Sequence, residues 1–136
     1  MKAIVFVFTL ILVFNSWITV RGQNILIGGP AVFTNEPSVC INPQNPDQIV
    51  IGSVPDNYYI SADGGVSWQQ GVLTSTYGVN CDPVILADNS GSFYYFHLVP
   101  DLSRVVCQKM TDFTQPWSNG SFIAVYNTYD MCYKRQ

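Results

Sequence analysis

Two acidic residues, Glu36 and Asp82, are the best candidates for chemistry in this sequence. Each directly precedes a proline at the start of an apolar run, and the two runs repeat each other with a shift of 46 residues. Paired carboxylates can act as general acid and base in glycoside hydrolysis, or they can hold a cation. The alternative is that each carboxylate caps a turn at the start of a strand. We therefore treat both residues as candidate catalytic groups.

The remaining polar motifs indicate structure rather than catalysis. His97 lies in an aromatic run, which is typical of a packed, hydrogen-bonded histidine. The segment 88–92 resembles part of a calcium loop, but it lacks the distal glutamate, so a hairpin turn is the better interpretation. The sequence shows no nucleotide-binding loop, no Ser/His/Asp order and no metal-ligand cluster. We expect no cofactor and no metal.

The cysteines allow two interpretations. Their wide spacing matches no zinc site, in which paired ligands are usually about two to four residues apart. An even number in an exported chain permits disulfides. Two of them lie in apolar runs, where buried free thiols are equally compatible. Both interpretations remain open for the set Cys40, Cys81, Cys107 and Cys132.

The first 22 residues are typical of a secretory signal peptide. Lys2 precedes an apolar run from Ala3 to Phe14, and a more polar stretch ends at Gly22. The apolar run is too short for a membrane span, which needs about 20 residues. An uncleaved signal anchor is the alternative. We expect cleavage after Gly22, a secreted mature chain over 23–136, and no membrane attachment after cleavage.

The composition suits strands and argues against nucleic-acid partners. The chain of 136 residues is long enough for one small domain, with 14% aromatic and only 11% charged residues. Its net charge is −3, and its isoelectric point is about 4.7. A nucleic-acid surface needs clustered lysine and arginine, which this sequence does not have.

The stretch from Ser61 to Trp68 predicts a tight hairpin loop. Asp63 can accept backbone N–H groups two and more residues further on, which closes an Asx-type turn. Gly64 and Gly65 can adopt the positive φ that such a turn requires. The tryptophan then falls at the start of the return strand, where its ring can cover the hairpin.

This octapeptide resembles the Asp-box, or BNR repeat, of the sialidase superfamily. The resemblance implies β-propeller blades in which the loop joins the third and fourth strands. It also implies that the box is structural and lies away from the catalytic centre. The box residues are Ser61, Asp63, Gly65, Ser67 and Trp68.

A degenerate second box follows. Asp112 and Trp117 have the same separation as the aspartate and tryptophan of the first box. Met110 replaces the first serine, and Thr114 replaces the conformationally important glycine. A period near 50 residues with one supersecondary unit per repeat is the signature of a propeller.

The predicted fold is therefore all-β, with about two four-stranded antiparallel blades of a sialidase-like propeller of the six-bladed type. The first blade covers about 34–75 and the second about 80–127. Two unrelated hairpins with chance turn residues are the alternative. Because propellers have about four to eight blades, two blades leave an incomplete ring. We therefore expect the front fragment of a longer protein, whose remaining blades are partners, or a truncated gene product. Full assembly from several copies is a less favoured alternative.

Several other segments resemble the N-terminal part of secreted sialidase-like BNR-repeat proteins, which are described as exo-sialidases or glycosyl hydrolases. The resemblance implies glycans or glycoconjugates as partners. These segments are 36–38, 42–46, 57–59 and 77–83.

The sequence departs from the catalytic pattern of that family. The resemblance implies an arginine triad that binds the substrate carboxylate, a Tyr/Glu pair and an aspartate acid/base. Arg104 and Arg135 are the only arginines of the predicted mature chain, and an acidic residue, Glu36, stands where the family's first arginine motif is expected. We expect the chain alone to be inactive. A non-catalytic carbohydrate- or protein-binding module is the alternative.

Overall fold

The structure, a computed structural model, describes residues 24–28 and 34–124. Within these residues the chain consists of two four-stranded antiparallel sheets and contains no helix, so the predicted all-β class is confirmed. No described segment is a helix capable of crossing a membrane. The signal peptide predicted over 1–22, Cys132, Arg135 and the end of the second unit at 125–127 lie outside the described residues.

Both sheets are simple meanders, in which each strand pairs with the next strand in the sequence. The first sheet has the order β1-β2-β3-β4, and the second has the order β5-β6-β7-β8. The strands of the first sheet are β1 (Asn35–Ile41), β2 (Ile49–Val54), β3 (Asn57–Ser61) and β4 (Gln69–Val72). Those of the second are β5 (Val84–Ala87), β6 (Phe93–Leu98), β7 (Arg104–Met110) and β8 (Ser121–Ala124).

The central strands form because their residues favour a pleated, buried surface. β2 is rich in β-branched residues and β6 in aromatic ones, and both types are favoured in strands. The turn between β1 and β2 contains two prolines, which cannot donate to a ladder. Its first residue, Asn42, accepts the N–H of Gln44 on its side-chain oxygen at 2.9 Å. Local sequence therefore fixes where these strands end.

The two sheets pack on each other around Tyr95. This residue of β6 is only 1% exposed, and its ring lies against Gly52 of β2. Its hydroxyl donates to the carbonyl oxygen of Asn57 at 3.3 Å. β5 lies against β1 and β2, and the N–H of Ile85 donates to Oγ of Ser38 at 2.9 Å. The core cluster joins both sheets through Val50, Leu73, Ile85, Phe93, Tyr95 and Met110.

The sheets are stacked in the same orientation rather than as mirror images. Phe93 and Tyr95 point from β6 toward the first sheet, and their register equivalents in β2 are Ile49 and Ile51. Because Gly52 faces the second sheet and side chains alternate along a strand, Ile49 and Ile51 point the opposite way. One face of the second sheet thus packs on the opposite face of the first.

Substituting Gly52 tests this packing. An added Cβ would lie 2.7 Å from Cε2 of the buried Tyr95 ring. We expect Gly52→Ala to lower the free energy of unfolding in urea by about 1–3 kcal/mol, the usual cost of overpacking a core. Val66→Ala, at a loop residue that is 76% exposed, serves as the control and should change it by less than about 0.5 kcal/mol. A Gly52→Ala variant of unchanged stability would contradict the close approach of the two sheets.

Candidate functional site

The loop between β3 and β4 is closed by its own side chains. Oγ of Ser61 donates to Oδ1 of Asp63 at 2.8 Å and accepts the N–H of Gly65 at 2.8 Å. Ser67 donates its N–H to Oδ1 of Asp63 at 2.9 Å, and its hydroxyl donates to Oδ2. The indole N–H of Trp68 donates to the carbonyl oxygen of Gly65 at 2.9 Å. Each named residue of the pattern Ser-x-Asp-x-Gly-x-Ser-Trp takes part in at least one of these hydrogen bonds.

These donors hold Asp63 in its charged form. The Ser67 hydroxyl, the Ser67 N–H and the Ser61 hydroxyl lower the pKa of Asp63 from 3.8 to about 2, with the Ser67 hydroxyl the largest cause. A carboxylate whose two oxygens already accept these bonds is a poor general base or nucleophile. The contacts indicate that Asp63 serves to close the loop.

The glycines of this loop have the conformations that the turn requires. Gly64 and Gly65 adopt φ values of 70° and 91°, which residues with a Cβ rarely reach. The N–H of Gly64 donates to the carbonyl oxygen of Asp47 at 2.9 Å. The loop is therefore tied to the turn between β1 and β2 along the same edge of the sheet, where edge means the rim formed by the ends of the strands.

The corresponding loop between β7 and β8 keeps only part of this set. Oδ1 of Asp112 accepts the N–H of Thr114 at 2.7 Å. Met110 has no hydroxyl to repeat the role of Ser61, and Pro116 has no N–H to repeat that of Ser67. The loop closes instead through Ser118, whose N–H donates to the carbonyl oxygen of Lys109 at 2.8 Å.

The tryptophan of the second loop belongs to the core between the sheets. The ring of Trp117 meets Tyr58 edge-on at 5.9 Å and Tyr95 edge-on at 5.7 Å between centroids. Its indole nitrogen is buried and has no hydrogen-bond partner among the described residues. Trp68 lies beside Ile49 on the equivalent face of the first sheet, so the two tryptophans occupy matching positions.

The two candidate acids share an unusual backbone geometry. Glu36 and Asp82 have φ values of 50° and 57°, in the left-handed region. Glu36 and Pro37 together lie opposite one residue of β2, which makes a β-bulge at the start of β1. Asp82 is bulged similarly before β5, since Leu98 donates its N–H to the carbonyl oxygen of Cys81 at 3.1 Å. A bulge redirects a side chain from the regular alternation of the strand.

Both acids lie on the edge opposite to the Asp63 loop. Ser38 of β1 binds Ile85 of β5, so the starts of these two strands lie on one edge. Neither the Glu36 nor the Asp82 carboxylate accepts a hydrogen bond from the described residues. Glu36 is exposed and Asp82 is half-buried. Unlike Asp63, neither carboxylate is occupied by a donor from the described residues.

A small cleft lies on the same edge, beside the turn between β6 and β7. Its volume is about 240 Å³. The guanidinium of Arg104, one of its lining residues, stacks on the Phe122 ring at 4.4 Å. Sequence reasoning missed this cleft, because it is formed by two turns that are distant in the chain. The lining residues are Tyr77, Val99, Pro100, Asp101, Ser103 and Arg104.

His97 is buried in a network of uncharged partners. The side-chain nitrogen of Gln108 donates to the carbonyl oxygens of Thr74, at 2.9 Å, and Ser118. Its side-chain oxygen therefore faces Nε2 of His97 at 3.1 Å and accepts a hydrogen bond from it. Nδ1 lies 3.0 Å from the carbonyl oxygen of Leu98. Burial lowers the pKa of His97 below its ordinary value of 6.5, while the contacts with Leu98 and Gln108 act in the opposite direction.

The remaining candidates are also accounted for by local contacts. Oδ1 of Asp88 accepts the N–H groups of Ser90 and Ser92 at 2.9 and 3.0 Å, and Oδ2 accepts the Tyr94 hydroxyl at 2.8 Å. This is a hairpin turn in which donors already occupy the carboxylate.

Across 24–28 and 34–124 no three His, Cys, Asp or Glu side chains cluster as a metal site requires. Three cysteines are free thiols: Cys40, Cys81 and Cys107.

The acid sensitivity of the Asp63 loop provides one test. The pKa of Asp63 is lower in the folded chain than in the unfolded chain. Its contribution to the stability of the fold is therefore complete above about pH 4 and is lost as the pH falls toward about 2. Asp63→Asn should be less stable than the wild type at neutral pH, and this difference should shrink in acid. Melting temperatures recorded by circular dichroism between about pH 7 and pH 2.5 measure it.

Asp47→Asn is the matched control, since the Asp47 side chain accepts no hydrogen bond in the described part of the chain. Its difference from the wild type should not vary with pH in this way. A constant difference between wild type and Asp63→Asn across the range would show that the carboxylate is not held as described.

His97 gives a second pH test, because it is the chain's only histidine. The fold lowers its pKa, so the unfolded chain takes up a proton that the folded chain excludes. The free energy of unfolding should therefore fall as the pH drops through about 6.5. His97→Phe should remove that dependence, whatever its effect on total stability. Urea titrations at several pH values measure both, and an unchanged slope in the variant would refute this assignment.

No family model, curated protein or solved structure matches this chain. Function has to be inferred from the contacts of the residues themselves. The most informative are the self-bonded Asp63 loop, the two stacked sheets and the bulged acids Glu36 and Asp82.

Proposed function

We propose that the chain is a secreted Asp-box segment of a sialidase-like β-propeller, contributing two blades to a carbohydrate-active or carbohydrate-binding protein. The observation that carries this proposal is the Asp63 loop. Every residue of the pattern Ser-x-Asp-x-Gly-x-Ser-Trp makes a hydrogen bond that closes it. A generic hairpin needs only a turn with suitable φ values and does not require this whole set of hydrogen bonds.

The arrangement of the sheets supports the same proposal. Each sheet is a four-stranded meander, and the two stack in the same orientation. A unit that repeats in this way is what successive blades require. The tryptophans also lie on matching faces, Trp68 beside Ile49 and Trp117 against Tyr95.

The charges on the edge that contains Glu36 and Asp82 favour neutral glycans and argue against sialic-acid hydrolysis by this chain. Binding a sialic-acid carboxylate calls for a bidentate guanidinium. Arg104 is the only arginine among the described residues, and it stacks on Phe122. Glu36 and Asp82 would repel an anionic sugar at close range. Their available oxygens can instead accept hydrogen bonds from sugar hydroxyl groups.

A non-catalytic binding module is the second candidate, favoured by those same available carboxylates. In that case the edge containing Glu36 and Asp82 binds glycan hydroxyl groups without a reaction. The two candidates differ in whether further blades of a longer protein add the missing arginines.

Two assays on the purified chain test the proposal. With a fluorogenic sialoside we expect no turnover above the buffer rate, and measurable turnover would overturn the view that the chain alone is inactive. On a glycan array we expect neutral glycans to bind in preference to sialylated ones. The double variant Glu36→Gln, Asp82→Asn should lose about tenfold in affinity, as the loss of one or two charge-assisted hydrogen bonds implies.

The control for the array is Asp47→Asn, which removes a carboxylate at the opposite edge. It should bind like the wild type. A chain that binds no glycan, or a double variant with unchanged affinity, would contradict the assignment of this edge to carbohydrate.

A further inference from the structure

Two apolar strips on the edge strands are exposed in the described part of the chain. The first strip, Val39 and Ile41 of β1, points away from the second sheet. The second strip, Val84 and Leu86 of β5, points away from the first sheet. Val39 is 62% exposed and Leu86 is 52% exposed. Apolar side chains in neighbouring positions on an open sheet face mark an interaction surface.

Each strip has a buried counterpart inside the same chain. Val39 pairs with Ile51 in the first sheet, as Ile85 pairs with Tyr95 in the second. Ile85 is only 3% exposed, because it packs on the first sheet. Val39 is thus exposed at a position of the first sheet whose equivalent in the second sheet, Ile85, is buried.

The same comparison applies to the second strip. Leu86 pairs with Tyr94, as Cys40 pairs with Val50. Cys40 packs against the core cluster between the sheets, whereas Leu86 has no sheet beside it. The contact between the sheets therefore joins two different faces. On the other face of each sheet the apolar strip is exposed in the described part of the chain, although Tyr59 beside the first strip is buried next to Gly28.

We propose that a second copy of this chain docks on these strips, with the first strip of one copy packed on the second strip of the next. This contact joins between chains the same two kinds of face that pack within one chain, with Phe96 at the position equivalent to Gly52. It is heterologous, so each added copy leaves a strip free at either end, and assembly continues until a ring closes or a filament grows. The inference goes beyond the proposed carbohydrate role and depends only on how the sheets stack.

The contact between copies is weaker than the one within a chain. Inside the chain, Oγ of Ser38 accepts the N–H of Ile85 at 2.9 Å. The residue of the second sheet that corresponds to Ser38 is Val84, which has no hydroxyl to accept the N–H of Val39. We therefore expect reversible association that grows with protein concentration.

Two single variants test both the contact and its direction. Val39→Asp disables the first strip, and Leu86→Asp disables the second. Each variant alone should be monomeric in sedimentation velocity experiments at concentrations where the wild type associates. An equimolar mixture should form a complex of two copies and no larger species, because the intact strips meet once and both outer ends are disabled.

Val66→Asp is the matched control, since Val66 is 76% exposed in the loop between β3 and β4 and lies on neither strip. It should associate like the wild type, and circular dichroism should show the same strand content for all variants. A wild type that stays monomeric at every concentration would overturn the proposal. Self-association of the Leu86→Asp variant on its own would also overturn the proposal, because it would mean that two first strips bind each other. A mixture that forms no complex would refute the contact as well.

Discussion

The close approach of Tyr95 to Gly52 is the contact on which the rest of the structure depends. With no Cβ in the way, the ring reaches the backbone of β2, and its hydroxyl donates to the carbonyl oxygen of Asn57 at 3.3 Å. Burial raises the pKa of Tyr95, so the phenol remains a neutral donor. Trp117 then closes over the same ring from the second loop. One glycine thus sets the distance between the sheets and the depth of the aromatic layer between them.

Stacking in the same orientation separates two kinds of edge. On one edge lie the turns that begin at Asn42, Ser61 and Asp88, where side chains satisfy the backbone and are themselves occupied. On the other edge, strands β1 and β5 begin with bulges, and the Glu36 and Asp82 carboxylates accept no hydrogen bond from the described residues. The separation is partial, because Asp101 on this second edge accepts two bonds from Ser103, whereas Asp47 on the first edge accepts none among the described residues.

The sequence allowed the strand order and the bonds of the first loop to be anticipated, because both depend on neighbours within a few residues. The Asp63 turn follows from the spacing of Ser61 and Ser67, and the β-branched residues of β2 and the aromatic residues of β6 predict both as strands. The cleft beside Arg104 and the amide network around His97 could not be predicted in this way. They depend on residues such as Thr74 and Gln108, which are far apart in the sequence and share no local signal.

The backbone at Glu36 and Asp82 has a consequence for which residues fit there without strain. Holding a residue with a Cβ at a left-handed φ costs about 1–2 kcal/mol, which glycine would avoid. Replacement by glycine would relieve that cost at two equivalent places, and it would remove both acids. The chain keeps an acid at both places despite this cost, and it meets the same cost at Leu102, which has a φ of 58°.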